Sequence, residues 1–211
     1  MESSACKLYH VDGFDSRQFL ETYMSDKPEV VFAEETLIFP IENLTKTFAA
    51  GLIRGEILVD LSVGPMIQHL YAACEFFKHI IVLKTTDRCI LELKRWLDTR
   101  TGAFHWGHAT QLHVDTEGKS KDHDDFRRCL GKFSRLLKPG GHIILIGTLN
   151  ATYFTVGKDK IHVLRYDEDL ARKALVGEGF VIDCCKVMES KVVSDLCDTK
   201  GTIFIVAHKE K

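Results

Sequence analysis

Apolar residues recur at two different periods along this 211-residue chain, and the switch between them outlines its elements. Over residues 16–24, Phe19, Leu20 and Tyr23 fall on one face of a short helix, with Asp15 placed to cap its first amides. Pro28 breaks that pattern. Residues 29–50 carry Val31, Phe32, Leu37, Ile38, Ile41, Leu44 and Phe48 at near-helical spacing. Pro40 interrupts them, which predicts a kink or two helices. The period then shortens. Residues 56–61 (EILVDL), ending near Gly64-Pro65, suit a buried parallel strand. Helical spacing returns over 66–77, and residues 79–83 (HIIVL) form a second buried strand. Asp87 is placed to cap a helix running to Trp96 or Leu97. Strand, helix, strand, helix is the order of a parallel sheet with right-handed crossovers.

Residues 99–125 are the least regular stretch, with a weak strand at 110–114 and a charged surface loop at 117–125 (EGKSKDHDD). A helix over 126–137 is stopped by Lys138-Pro139-Gly140-Gly141. Residues 142–149 (HIILIGTL) make a strong strand. Residues 167–178 form a helix ended by Gly179, and 180–187 and 202–208 read as the last two strands. No internal repeat is visible.

Composition narrows the function classes. A net charge of −2 leaves no footprint for nucleic acid and nothing to draw the chain to an anionic membrane. Residues 1–14 are polar, without the apolar stretch of a signal peptide, and no apolar run is long enough to span a bilayer. The seven cysteines are odd in number, scattered and free of any C-x-x-C pair. That argues against a disulfide framework and a structural zinc site, and for reduced thiols in the cytoplasm. Cys74, in an apolar helical pattern, is expected to be a small core residue.

Two motifs carry a resemblance. Leu58-Val59-Asp60-Leu61-Ser62-Val63-Gly64-Pro65 is similar to the first glycine-rich loop of class I S-adenosylmethionine-dependent methyltransferases, and Leu136-Leu137-Lys138-Pro139-Gly140-Gly141-His142 to the helix stop before that fold's fifth strand. Residues 14–23 (FDSRQFLETY), Ala73-Cys74-Glu75, residues 91–97 (LELKRWL), residues 151–157 (ATYFTVG) and the strand at 203–208 all resemble one subfamily, the nicotinamide, phenylethanolamine and indolethylamine N-methyltransferases. The resemblance implies an α/β Rossmann-like sheet with helices on both faces. It implies one domain over 1–211, with a helical cap at 1–50 and the core at 51–211. In the family an adenine-contacting segment and a fourth strand follow the third strand. Here the charged loop after Gly118 runs straight into the helix at Phe126, so a central strand region is expected to be missing, and the first strand must pair with something else or be left with an open edge.

Methyl transfer in this family is a direct displacement at a sulfonium methyl, which needs positioning and a low-dielectric pocket and no metal. The cofactor implied is S-adenosyl-L-methionine, bound beyond the carboxyl ends of the strands. The family's loop reads acidic-x-Gly-x-Gly-Pro. This chain keeps Asp60 and Gly64 but has Ser62 for the first glycine, followed by β-branched Val63. The outcome is either a narrowed cofactor site or an ordinary strand-to-helix turn. Where the family has an acidic ribose-binding residue stands Lys84, which can donate hydrogen bonds but accept none. Asp87 is retained, and Cys89 stands for an asparagine near the cofactor. Two tyrosines that close over the family's site correspond to Phe19 and Met24, and a third to Gln68, while Tyr23 is kept. On the substrate side an acidic residue corresponds to Gly147 and a serine to Ala151; Tyr153 matches, and Phe154 lacks its hydroxyl. His142 and Asn150 are polar neighbours in sequence.

Different functions follow. One is methyl transfer to a nitrogen or sulfur of a small molecule such as a pyridine or arylalkylamine, by a monomer that binds neither nucleic acid nor membrane. The alternative is a catalytically inactive relative acting through a protein partner. A third is a chain with no stable fold, marked by a broad, uncooperative melt.

Overall fold

The structure is a computed structural model that describes residues 14–27, 30–84, 86–98, 101–106 and 137–210, together with 127, 130, 131, 134 and 135. The expectations for Pro28, the strand at 110–114 and the loop at 117–125 lie outside the described residues, as does part of the helix at 126–137, whose residues 127, 130, 131, 134 and 135 are helical.

Helix α1 (Ser16–Tyr23) begins where Asp15 accepts from the Gln18 amide at 2.9 Å, and it buries Phe19, Leu20 and Tyr23. Pro40 divides the next apolar pattern as expected. A π-helical turn (Glu34–Ile38) leads into α2 (Phe39–Ala49), and Pro40 sits in the first turn of α2, where its missing N–H costs nothing. Strand β1 (Ile57–Asp60), α3 (Gln68–Ala73), β2 (His79–Val82) and α4 (Asp87–Leu97) then alternate, and β1 and β2 pair in parallel. The cap of α4 is Thr86, whose Oγ1 accepts from the Cys89 amide at 3.3 Å, and not Asp87, which is the first helical residue. Thr86 is extended and so can turn its hydroxyl back on the helix; Asp87 already has helical geometry.

In the second half β3 (His142–Leu149) is followed by a hairpin of β4 (Tyr153–Val156) and β5 (Asp159–His162), which the sequence reading missed. Helix α5 (Glu168–Gly177), capped by Asp167, leads to β6 (Phe180–Glu189) and β7 (Gly201–Lys209). Strand β7 lies between β3 and β6, antiparallel to both. Its Ile203, Ile205 and Ala207 pack toward α5 on one face, and Phe204 and Val206 pack with α2 and α3 on the other. Full burial of each large side chain contributes about 1.5–3 kcal/mol.

Among the described residues no strand joins β1 to β3, so the sheet is split into β1-β2 and β3-β7-β6. The halves share one helical cover: Leu58 and Ile80 join Ile144, Ile146, Phe204 and Val206 beneath α2 and α3. The other face of the smaller half is bare. Ile57 is 57% exposed, Val59 48% and Ile81 45%. Both strands were expected to be buried. A parallel pair is covered only where elements lie on both of its faces, and the described residues supply one. Cys74 is also exposed rather than a core residue, because α3 ends at Ala73 and the chain turns outward. No helix among the described residues is long and apolar enough to cross a membrane.

Candidate functional site

The carboxyl end of β1 delivers Asp60 into a buried polar cluster. Its Oδ1 accepts from the Ser62 amide at 2.9 Å and lies 2.8 Å from His69 Nε2. Its Oδ2 accepts from Ser62 Oγ at 3.1 Å and from Lys84 Nζ at 2.9 Å. The ammonium also donates to the Ser62 carbonyl at 3.0 Å and to Ser62 Oγ at 2.6 Å. The Lys84 and Asp60 side chains are 2% and 3% exposed. Burial alone would raise the Asp60 carboxyl. The opposing pull of the His69 ring, then of the Lys84 ammonium, outweighs it and holds the carboxyl well below the usual carboxylate range. Asp60 is therefore a buried carboxylate with both oxygens occupied.

The turn after β1 needs one left-handed residue, and Gly64 supplies it with φ 70°. Ser62 and Val63 are not in that region, so replacing the first glycine of the motif leaves the turn intact. What Ser62 adds is a hydroxyl between Asp60 and Lys84. A methyl group on Gly64 would stand 3.0 Å from the Phe19 ring, so this glycine lets α1 close down on the loop.

Phe19 and Met24 line a small cavity with Tyr23, Phe32, Val63, Met66 and Phe154, about 40 Å³ in volume. That is room for about three water molecules. Gln68 is fully buried; its carbonyl accepts from the Ile67 amide at 2.9 Å and its amide reaches Met24 Sδ. Cys89 is buried beside Ser16 Oγ at 3.4 Å, whereas Asp87 is exposed. Of the substrate-side residues, Ala151 is buried, and the Tyr166 hydroxyl occupies the place a side chain at Gly147 would take. Tyr153 lies on the outer side of its hairpin with Lys160 Nζ 4.0 Å from its ring, and its neighbour Phe154 faces the cavity. Asn150 adopts φ 56° where β3 turns toward the hairpin.

S-adenosyl-L-methionine is the cofactor implied by the sequence resemblance, and Asp60 is the residue of the loop that would face it. Its hydroxyls and amino group need free acceptors, and the Asp60 oxygens are taken. The sequence reading brought Asp60, Ser62 and Lys84 into one site but missed His69 and Tyr166. The available signal for His69 was a polar residue in the first turn of the helix after the loop; nothing local marked Tyr166.

The sequence pattern of the NNMT/PNMT/TEMT family matches residues 3–125 and 119–210, two stretches that meet where the central region was expected to be missing. The indolethylamine N-methyltransferase of Mus musculus is 27% identical over 245 aligned positions, covering 93% of each chain. Those positions outnumber this chain's 211 residues, so the relative carries residues with no counterpart here. The nicotinamide N-methyltransferase of Homo sapiens is 24% identical, covering 99% of this chain and 98% of its own. The phenylethanolamine N-methyltransferase of Homo sapiens is 26% identical, with 79% and 78% covered. Among solved structures, an S-adenosylmethionine-dependent methyltransferase from Clostridium acetobutylicum superposes with a TM-score of 0.54 at 12% identity, over 81% of this chain and 91% of the other, which shows the shared fold. With a class I methyltransferase fold, and with the family pattern matched along nearly its whole length, this chain belongs to the NNMT/PNMT/TEMT family.

Proposed function

We propose that this chain is a catalytically silent member of its family, its methyl-donor site latched shut by Lys84. The observation that carries this reading is the set of three hydrogen bonds from the Lys84 ammonium to Asp60 and Ser62. They support it because Lys84, which the sequence resemblance sets at the family's ribose-binding position, is a buried cation engaged with the one acidic residue of the loop.

The test is thermal unfolding with and without millimolar S-adenosylhomocysteine. A ligand that binds only the folded state stabilises it by about 2.7 kcal/mol at a hundredfold excess over Kd. The native chain is expected to melt at the same temperature in both, and the double variant Lys84→Asp with Ser62→Gly to melt higher with the ligand. An upward shift for the native chain would overturn the latch.

A second reading is methyl transfer to a nitrogen or sulfur of a small molecule. It is favoured by Asp60 at the strand's carboxyl end followed by left-handed Gly64, the arrangement that a donor site in this fold uses. Transfer of labelled methyl to a panel of pyridines and arylalkylamines, lost in Asp60→Ala, would establish it in place of the first.

A further inference from the structure

We propose that His142, Asp183 and His208 form a binding site for one divalent transition-metal ion of the Zn²⁺ class, at the end of the larger half-sheet away from the Asp60 cluster. The three residues come from three neighbouring strands. His142 opens β3 and is the register partner of His208 on β7, their rings 5.9 Å apart. Asp183 lies on β6, where its carboxylate meets His208 Nδ1 at 2.8 Å.

The placement of Asp183 depends on an irregularity in the ladder. Ile182 pairs with Ala207 and Cys184 with Val206, leaving Asp183 as an extra residue. Regular alternation would turn Ile182 and Cys184 to the same face. Instead Ile182 packs toward α5 and Cys184 packs with Phe204 and Val206. The bulge therefore turns the carboxylate onto the face where Phe204, Val206 and His208 follow one another, beyond the cover of the helices. Bulges re-aim side chains in this way.

One ligand atom from each residue lies within 4.8 Å of the other two. Ligands on a tetrahedral zinc, with bonds of about 2.0–2.2 Å, stand about 3.4 Å apart. Rotation of three half-exposed side chains covers that difference, and His208 and Asp183 are already closer than it. Two imidazoles and a carboxylate suit zinc and its neighbours, whereas Mg²⁺ and Ca²⁺ take oxygen ligands. The nearest ammonium on β7, Lys209, is turned away, bonding the Ser134 and Leu137 carbonyls. Three protein ligands leave a fourth position for water. A bound ion would tie the edge strand β3 to β7 and, across it, to β6.

Calorimetric titration of the whole chain with Zn²⁺, paired with visible absorption after adding Co²⁺, tests the site. The expected result is one saturable equivalent and a Co²⁺ d–d band without a thiolate charge-transfer band. His142→Ala and Asp183→Asn should each weaken binding at least tenfold while the far-UV circular dichroism stays unchanged. Asp183→Asn keeps the side chain's shape and serves if His142→Ala fails to fold. No saturable equivalent, a thiolate band, or binding that neither variant weakens would overturn the proposal, the last two marking adventitious capture by cysteines.

Discussion

Lys84→Met removes the latch at nearly constant volume. Lys84 Nζ makes three hydrogen bonds at 2.6–3.0 Å, and its side chain is 2% exposed, so solvent screening does little to weaken it. Removing one partner of a buried ion pair costs about 3–5 kcal/mol, because the other charge stays behind. Asp60 keeps His69 and the Ser62 amide, which places the loss near the lower end, about 3 kcal/mol. For a chain of this size each kcal/mol shifts the melting temperature by about 2–4 °C, so Lys84→Met should melt about 6–12 °C below the native protein at pH 7. Circular dichroism melts of the native chain, Lys84→Met, Asp60→Asn and the double variant close a mutant cycle. Its coupling energy should exceed about 1 kcal/mol. A single variant melting within 2 °C of the native chain, or strictly additive losses, would refute the reasoning.

The acid limb should carry the same signature. The folded Asp60 carboxyl is held below its ordinary value, so its contribution is fully present above the unfolded carboxylate range near pH 4 and is lost as pH falls toward the folded value. Between pH 5 and 2 the native melting temperature should fall more steeply than that of Asp60→Asn. Gly147→Ala should destabilise by about 1–3 kcal/mol, since the added methyl would stand 2.0 Å from the Tyr166 hydroxyl, and Tyr166→Phe should recover part of the loss in a chemical denaturation series. Tyr23→Phe should cost about 1–3 kcal/mol, because the hydroxyl accepts from the Thr155 amide at 3.1 Å and lies 2.8 Å from the Thr155 carbonyl and 3.0 Å from that of Leu196; an unchanged melt would remove that bridge from the account. Ile57→Lys and Val59→Lys should change stability by less than about 0.5 kcal/mol yet lower the binding of an apolar dye, because both side chains face solvent.

What was legible in the sequence was mostly local. The helix over Ser16–Tyr23 followed from Asp15 and three apolar residues at helical spacing, and the divided pattern around Pro40 from one missing amide. The strand at His142–Leu149 and the stop at Gly140 needed no partner to be seen. The cap of α4 was misread by one residue, because Asp87 is the stronger capping residue by type and only the extended backbone of Thr86 makes it the cap. The hairpin Tyr153–His162 escaped because four-residue strands give too little alternation to register.

Sequence alone therefore determined the periods, the turns, the family motifs and the loss of a central region, since each is written in neighbouring residues or in their collinear order. Tertiary structure decided the rest. Whether Ile57 and Val59 are buried depends on what covers β1, which the residues of β1 do not encode. Lys84 read as a replaced ribose contact; that it turns onto Asp60, 24 residues earlier, depends on β1 and β2 ending side by side. Asp183 meets His208 only because β6 carries one residue more than β7 between their paired positions. Ion pairs and ligand clusters depend on which strand ends become neighbours, and packing fixes that only after the elements have formed.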